Sequence, residues 1–200
     1  MFVQVVQGKT KDKTGAREMW DRWNREVKPA AKGYLGATGG VTANGDLIVI
    51  ARFESAEAAE RNNNIPEQQQ WYSEFEKYVE GEPTFTNYTN VDLDQEGGSD
   101  DAGFVQVIRV KGGDPEAFKA LDAEIADKMR ELRPDVIGSL NAYEGDDVTS
   151  VIYFTSEAEA RVAEKQEPDP EAAAMMAEMG SLVAGEMTFL DLRSPWLASP

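Results

Sequence analysis

The sequence has no cysteine and no histidine among its 200 residues. Without cysteine the chain can form neither disulfides nor thiolate ligands, which is typical of proteins in a reducing cytoplasm, and we expect a cytoplasmic location. Without histidine it lacks the commonest general base and the commonest metal and haem ligand. We therefore expect no metal centre and no cofactor.

Basic residues and long hydrophobic runs are also scarce. The 20 lysines and arginines face 37 aspartates and glutamates, giving a formal net charge of −17. Such a field repels nucleic acid and anionic membranes, and it makes the surface soluble. No run of about 18 apolar residues is present, so the sequence contains no normal transmembrane helix. We predict neither nucleic acid nor a membrane as a partner.

The sequence repeats itself once. "FVQVV" at 2–6 returns as "FVQVI" at 104–108, "RFES" at 52–55 as "YFTS" at 153–156, and "GEPTF" at 81–85 as "GEMTF" at 185–189. The offset stays between 101 and 104 residues, which indicates duplication of a unit the size of a small domain. Between the halves lies the acidic stretch "DLDQEGGSDDAG". We predict a first repeat at 1–91, a flexible linker at 92–103 and a second repeat at 104–200.

Each half has the pattern strand–helix–strand–strand–helix–strand. In the first half an amphipathic helix is predicted over 14–27, and Asn-Gly at 44–45 predicts a hairpin between two strands. Ser55 is predicted to cap a second helix that breaks near "NNNIP" and restarts. In the second half Asp114 and Pro115 predict the start of the first helix. This order is the ferredoxin-like split unit.

The central strands do not alternate between apolar and polar residues. In "LIVIARF" at 47–53 neighbouring positions, which face opposite sides of a sheet, are both apolar. An antiparallel sheet with helices on one face normally alternates, so the second face must also be covered. We predict an α+β fold: two tandem ferredoxin-like βαββαβ repeats whose antiparallel sheets pack into an intramolecular α/β barrel.

These features resemble the dimeric α/β-barrel (ferredoxin-like) superfamily in a tandem, single-chain form. Within it the sequence is most similar to the antibiotic-biosynthesis-monooxygenase group. The similarity lies in the opening "FVQVV", the helix "EMWDRWNREVKP" leading into "GYLGATGG", the strand "LIVIARFES", and the helix that carries Trp71 and Tyr72. It covers nearly the whole chain twice through loose motifs, and this fold supports many chemistries.

The resemblance implies a pocket between sheet and helices in each half. Cofactor-free monooxygenases of this group oxygenate polycyclic phenols to quinones, and they use Asn, Trp, Tyr and Arg side chains to do so. By this resemblance the catalytic candidates are Trp71, Tyr72, Arg52, Asn62 and Asn63. The candidates for binding the substrate are Trp20, Trp23, Tyr34, Asn64 and Phe75. Haem-degrading relatives need a histidine, which this chain lacks.

Structural roles compete with each of these assignments. Trp71 and Tyr72 align with Met175 and Met176, and large apolar residues at a repeated helix position usually belong to the core. The "NNN" run is typical of a helix end, and Arg52 could extend along the surface to solvent. Because the aromatic residues are concentrated in the first half, we expect the active pocket there.

The sequence is compatible with three alternative functions. The first is a cofactor-independent monooxygenase of an aromatic substrate, the second a non-catalytic protein that binds an apolar ligand or assembles with partners. The third, an isomerase or lyase, needs an acid–base pair that the sequence does not identify. The expected ligand is small and apolar or aromatic. We predict a monomer with an internal pseudo-dimer, and the sequence leaves a homodimer open.

Overall fold

The computed structural model of the protein describes residues 1–98, 100–168 and 170–200. The chain forms two compact units. The first comprises Met1–Val91 together with Ser194–Pro200, and the second comprises Asp92–Arg193. Each unit is built around one five-stranded sheet.

The described residues contain ten strands and six α-helices. In chain order they are β1 (Phe2–Lys9), α1 (Lys13–Glu26), β2 (Tyr34–Val41), β3 (Asp46–Phe53), α2 (Ala56–Asn63), α3 (Pro66–Phe75), β4 (Thr84–Tyr88), β5 (Asn90–Asp94), β6 (Phe104–Val110), α4 (Pro115–Leu132), β7 (Val136–Glu144), β8 (Asp147–Phe154), α5 (Glu157–Ala163), α6 (Pro170–Ser181), β9 (Met187–Leu192) and β10 (Trp196–Ala198).

The two sheets have matching strand orders. The first runs β10-β2-β3-β1-β4, and the second runs β5-β7-β8-β6-β9. In each sheet the first strand of the repeat lies between the third and the fourth, and these pairs are antiparallel. This is the ferredoxin-like order. The predicted α+β fold of two tandem ferredoxin-like repeats is confirmed, while the packing of one sheet on the other stays a prediction.

Local sequence signals explain where the helices begin. The side chain of Ser55 accepts a hydrogen bond from the amide of Ala58 at the start of α2. Asp114 caps α4 in the same way, with Pro115 at the first helical position. Between α2 and α3 the residue Ile65 is extended because a residue before proline avoids the helical region. The predicted caps and the predicted break are therefore present.

The predicted linker differs from the structure. Residues 90–94 form β5 and pair with β7, and 95–97 form a turn of 3₁₀-helix. The acidic composition that predicted a linker is compensated by basic residues of α4. The carboxylate of Asp92 lies 3.1 Å from Lys119 Nζ, and that of Asp94 lies 2.7 Å from Arg130 Nη1. These partners are distant in sequence, so composition alone could not reveal the strand. Ser99, also in the predicted linker, lies outside the described residues.

The end of the chain also differs from the prediction. The predicted second repeat runs to residue 200, whereas Ser194–Pro200 belongs to the first unit. There β10 pairs antiparallel with β2, and Trp196 lies opposite Gly39. The first sheet thus takes its fifth strand from the C-terminal end of the chain.

Both faces of the first sheet are buried, as the lack of alternation in β3 predicts. On one face Leu47 and Phe53 belong to a core that also includes the apolar side of α1. Ile48 and Ile50, which point to the opposite face, are buried as completely. Because apolar side chains on both faces are removed from water, both contribute hydrophobic stabilisation.

Candidate functional site

A cavity of about 460 Å³ lies inside the first unit, on the side of the sheet that faces the helices. Its size is typical of a pocket for a small organic ligand. Its lining comes from β1, β2, β3, β4 and β10 and from helices α1, α2 and α3. The lining residues are Gln4, Val6, Trp20, Trp23, Tyr34, Ala37, Val49, Ala51, Phe53, Asn62, Asn63, Gln68, Gln69, Trp71, Tyr72, Phe75, Phe85 and Trp196.

Strand alternation decides which side chains reach the cavity. In β3 the residues Val49, Ala51 and Phe53 line it, because successive side chains of a strand point to opposite faces. Arg52, between two of them, is not part of the lining. Its guanidinium lies instead beside Gly36 on β2, so close that a methyl group on Gly36 would come within 2.6 Å of it.

Aromatic rings form most of the helix side of the cavity. Trp71 and Phe75, one helical turn apart on α3, stack with their centroids 4.9 Å apart and their planes at 13°. Trp23 on α1 packs against Tyr34 on β2 at 5.0 Å. Such ring pairs stabilise the fold by more than their buried area alone provides, and they leave flat apolar surfaces toward the cavity.

Two of the indole N–H groups are already engaged inside the protein. Trp71 donates to the backbone oxygen of Met19 at 2.6 Å, and Trp23 donates to Gln68 Oε1 at 2.8 Å. These bonds tie α3 to α1 and fix both rings. Trp71 and Trp23 therefore offer a ligand an apolar surface rather than a hydrogen-bond donor.

Asn62 is the buried polar residue of the cavity wall. It lies in the last turn of α2 and is only 5% exposed. Its Oδ1 is buried and has no hydrogen-bond partner among the described residues. A buried polar atom without a partner costs about 1–3 kcal/mol, and such groups call for an explanation, for which a functional role is one candidate. A ligand with a hydroxyl group would supply the missing partner.

The cavity carries little charge. None of the described lining residues is an aspartate, glutamate, lysine or arginine. The pKa of Tyr72 is raised, first because the ring is partly buried and then because the negative charge of Glu76 is close. Tyr72 is therefore a neutral hydroxyl at physiological pH, and the lining suits an uncharged ligand.

Eight of the ten predicted site residues line this single cavity. The two that do not are Arg52 and Asn64. Asn64 is exposed, and its side-chain amide donates to the backbone oxygen of Glu60 in its own helix. The structure thus gathers the predicted aromatic residues and two of the three asparagines.

Several lining residues are missing from the sequence-based candidates. Gln68 lies one helical turn before Tyr72, so a helical projection could have found it. Phe85 ends the repeated "GEPTF" segment, and it is 49% exposed at the rim of the cavity. Trp196 comes from the C-terminal end of the chain, and no local pattern relates it to the first repeat.

The second unit differs at the equivalent positions. Where α1 has Trp20, α4 has Asp122, and where β2 has Gly39, β7 has Asn141. Asn141 Nδ2 donates to Asp122 Oδ2 at 2.8 Å. A polar pair therefore replaces the Trp20 ring and the glycine against which it packs, so the aromatic cavity wall at this place belongs to the first unit.

Asp122 gives the second unit a pH-dependent stability. Its pKa is raised, first by burial and further by the charges of Asp92 and Asp94, while the hydrogen bond from Asn141 opposes the shift. The folded state therefore binds the proton more readily than the unfolded chain, and the ionised carboxylate destabilises the fold above the raised pKa. We expect Asp122→Asn to raise Tm at pH 7.5 and to lose this advantage as the pH falls toward 4. Thermal unfolding of wild type and Asp122→Asn across this pH range measures the effect.

Asp146→Asn is the matched control, because Asp146 is exposed in the turn between β7 and β8. It should follow the wild-type pH profile. A constant difference between Asp122→Asn and wild type at all pH values would contradict the assignment of the raised pKa.

Comparison with known proteins identifies the fold. No family model matches the sequence. No curated protein matches it either. Among solved structures, a proposed monooxygenase from Lactobacillus acidophilus NCFM superposes with a TM-score of 0.76 at 13% identity, covering 99% of this chain and 95% of that one.

Two further structures agree over the same length. A proposed monooxygenase from Fusobacterium nucleatum gives a TM-score of 0.76 at 10% identity, covering 99% of this chain and 94% of that one. An anthrone oxidase-like protein gives 0.68 at 13% identity, covering 100% and 91%. At such identities the agreement shows the fold. The chain has a tandem ferredoxin-like fold, as its sequence predicts.

No α-helix in the described ranges is both long enough and apolar enough to cross a membrane. Within those ranges, no group of three or more acidic, histidine or cysteine side chains is arranged to hold a metal ion.

Proposed function

We propose that the protein is a cofactor-independent monooxygenase that oxidises a polycyclic phenol-like substrate in the cavity of the first unit. The observation that carries this proposal is the combination of an aromatic cavity of about 460 Å³ with the buried, unpartnered carboxamide oxygen of Asn62. Apolar walls suit a fused-ring substrate, and a single buried polar group fixes its orientation.

The reaction needs no redox group from the protein. In a three-ring anthrone the substrate loses a proton, and the resulting anion gives electrons to oxygen. One molecule of anthrone and one of O₂ yield one anthraquinone and one water, so one oxygen atom enters the ring system and the other leaves as water. The protein has to bind the ring system, stabilise its anion and prevent competing reactions.

Asn62 has the chemistry for the anion. A carboxamide accepts through its oxygen and donates through its nitrogen, so it can hold both a phenolic hydroxyl and a developing oxyanion. The donor is worth most in a cavity without water and without opposing charges. The ring of Tyr72 belongs to the same lining, and its raised pKa keeps its hydroxyl neutral.

The aromatic walls position the substrate. The rings of Trp71 and Phe75 stack on each other and are held by the bond from Trp71 to Met19. A fixed ring surface reduces the entropy lost when a flat substrate binds, and it keeps the reacting carbon in one place relative to Asn62.

The fold comparisons support the same reaction class. Two of the three full-length structures are proposed monooxygenases, and the third is an anthrone oxidase-like protein. Because one fold hosts many chemistries, the reaction is assigned from the residues that line the cavity.

A second candidate function is binding of an apolar aromatic ligand without catalysis. The observation that favours it is the lack of a charged base among the described lining residues. The same observation disfavours an isomerase or lyase, because these reactions need a positioned acid–base pair. Oxygenation differs, since an acidic substrate can lose its proton to solvent at the exposed rim near Phe85.

Oxygen consumption tests the proposal. Purified protein with a chelator and no added cofactor should consume O₂ in the presence of anthrone, with one anthraquinone formed per O₂, well above the rate with heat-denatured protein. Trp71→Phe, which keeps an apolar ring but loses the bond to Met19, should lower kcat/KM by about tenfold through misplacement of the ring wall.

The alternatives give different results. Tight binding of a hydroxyanthraquinone without oxygen consumption above background would identify a binding protein and overturn the monooxygenase. An unchanged kcat/KM in Trp71→Phe would show that this ring does not position the substrate.

A further inference from the structure

The cavity extends across the whole width of the first sheet. Each of the five strands contributes to its lining: Trp196 from β10, Ala37 from β2, Ala51 from β3, Val6 from β1 and Phe85 from β4. Neighbouring strands lie about 4.8 Å apart, so the two edge strands are separated by about 19 Å. The cavity is therefore a long slot with its long axis perpendicular to the strands.

The two ends of this slot differ. At the β4 end Phe85 is 49% exposed, and at the β10 end Trp196 is 5% exposed. Trp20 on α1, which packs beside Trp196, is buried as well. The Phe85 end is therefore open to solvent, and a ligand that extends to the other end meets Trp20 and Trp196.

The closed end is tightly built. The rings of Trp20 and Trp196 lie 5.8 Å apart at an angle of 50°. Gly39 lies opposite Trp196 in the β2–β10 pair, and a Cβ at this glycine would come within 3.0 Å of the Trp20 ring. The missing side chain of Gly39 thus makes room for the Trp20 ring beside Trp196.

The segment that carries Trp196 is held in place by its flanks. The hydroxyl of Tyr34 donates to the backbone oxygen of Ala198 at 3.3 Å, and Lys28 Nζ donates to the backbone oxygen of Ser199. The guanidinium of Arg17 lies 5.9 Å from the ring centroid of Trp196. An end wall fixed by these contacts can limit the length of a ligand rather than move aside.

We infer that Trp196 sets the length of the fused-ring ligand that the cavity accepts. This inference rests on the proposed function for the class of ligand, and it goes further by assigning the selectivity to one residue at the C-terminal end of the chain. A smaller side chain at position 196 would lengthen the slot at its closed end, so that a ligand with one additional linear ring could bind.

Binding measurements test this inference without catalysis. The probes are a monohydroxy anthraquinone with three rings and a monohydroxy tetracenequinone with four linear rings, with affinities measured by calorimetry. Trp196→Ala should raise the four-ring to three-ring affinity ratio about tenfold, since a pocket discriminates by such factors on small differences of size. Leu197→Ala is the matched control, because the side chain of the next residue on β10 points to the other face of the sheet and should leave the ratio unchanged.

A second variant tests the inference in case Trp196→Ala does not fold. Trp196→Phe keeps an aromatic ring of smaller size and should raise the ratio by about threefold, between wild type and Trp196→Ala. Circular dichroism and Tm identify which variants are folded. An unchanged ratio in folded Trp196→Ala, or in Trp196→Phe where only that variant folds, would overturn the inference.

The affinity ratio and the oxygen consumption test the length limit and the proposed function separately. A shifted ratio without oxygen consumption would support the length limit and overturn the monooxygenase. Oxygen consumption with an unchanged ratio would support the monooxygenase and overturn the length limit. A wild-type protein that binds neither probe would overturn both proposals.

Discussion

Asn62→Ala is expected to lower kcat for anthrone oxidation by about 10²-fold, the typical effect of removing one positioned donor, here Asn62 Nδ2, from a developing oxyanion. Asn62 is buried, and its Oδ1 has no partner among the described residues. Removing an unpartnered polar atom does not break a protein–protein hydrogen bond, so Tm should stay the same or rise slightly. Initial rates of oxygen consumption and thermal unfolding of the same preparations measure the two effects.

Asn64→Ala provides a matched control from the same sequence run. Asn64 lies two residues later, is exposed, and its side-chain amide donates to the backbone oxygen of Glu60. It should retain the wild-type kcat. A kcat near wild type in Asn62→Ala would show that the carboxamide does not act on the anion, whereas a fall in both kcat and Tm would indicate a structural role.

The architecture of each half could be predicted because every element carries a local signal. The Asn-Gly turn, the cap at Ser55 and the start of α4 at Asp114 and Pro115 each depend on residues within one or two turns of chain. The repeat then supplied a second copy of the same signals at an offset of 101 to 104 residues. Because both copies predict the same strand–helix order, that order identifies the ferredoxin-like fold.

The two edge strands contributed by β5 and β10 could not be predicted in this way. β5 is stabilised by ion pairs from Asp92 and Asp94 to residues of α4, and β10 pairs with β2 more than 150 residues earlier. β10 has only three residues, and the alternation of β5 is confined to five residues of an acidic stretch. Their pairing depends on partners that are distant in sequence, and composition read locally favours a linker and a tail.

The candidate site was predicted well on the helices and less well on the strands. A helical stripe identifies which side of a helix is buried, and Trp20, Trp23, Trp71 and Phe75 all line the cavity. In β3 both faces are apolar, so the sequence does not tell which face contacts the helices. Arg52, a candidate by the family resemblance, shares a face with Ile48 and Ile50 rather than with the cavity.

The comparison of the two repeats was the most informative sequence signal for the site. Trp71 lines the cavity, while the aligned position in the second repeat is Met175. The next position is Tyr72 in the first repeat and Met176 in the second, where the side chain is 52% exposed. Differences between two copies of one fold therefore point to the function, while their identities point to the architecture.

The repeated glycines of "GEPTF" and "GEMTF" have different physical reasons. Gly81 has a φ of +72° with no atom within 4 Å of an added Cβ, so it is required by its left-handed backbone. Gly185 has no positive φ, but an added Cβ would lie 2.2 Å from the backbone oxygen of Lys111. Glycine thus allows a left-handed turn in one half and a close approach of two backbone segments in the other.

Gly185→Ala is expected to destabilise the protein by about 3 kcal/mol, because the new methyl group meets backbone that cannot rotate away. On either side of Gly185 the amide of Ala184 donates to the oxygen of Gly112, and the amide of Lys111 donates to the oxygen of Glu186. Separating the two segments to admit the methyl group would weaken both bonds. Urea-induced unfolding, with the free energy extrapolated to water, measures the loss.

Gly180→Ala is the control, since Gly180 lies inside α6 with no atom within 4 Å of an added Cβ. Alanine in place of glycine in a helix should stabilise the protein by about 0.5–1 kcal/mol. The two substitutions add the same methyl group five residues apart and are expected to act in opposite directions. Equal effects of both variants would contradict the close approach at Lys111, because only that contact distinguishes the two positions sterically.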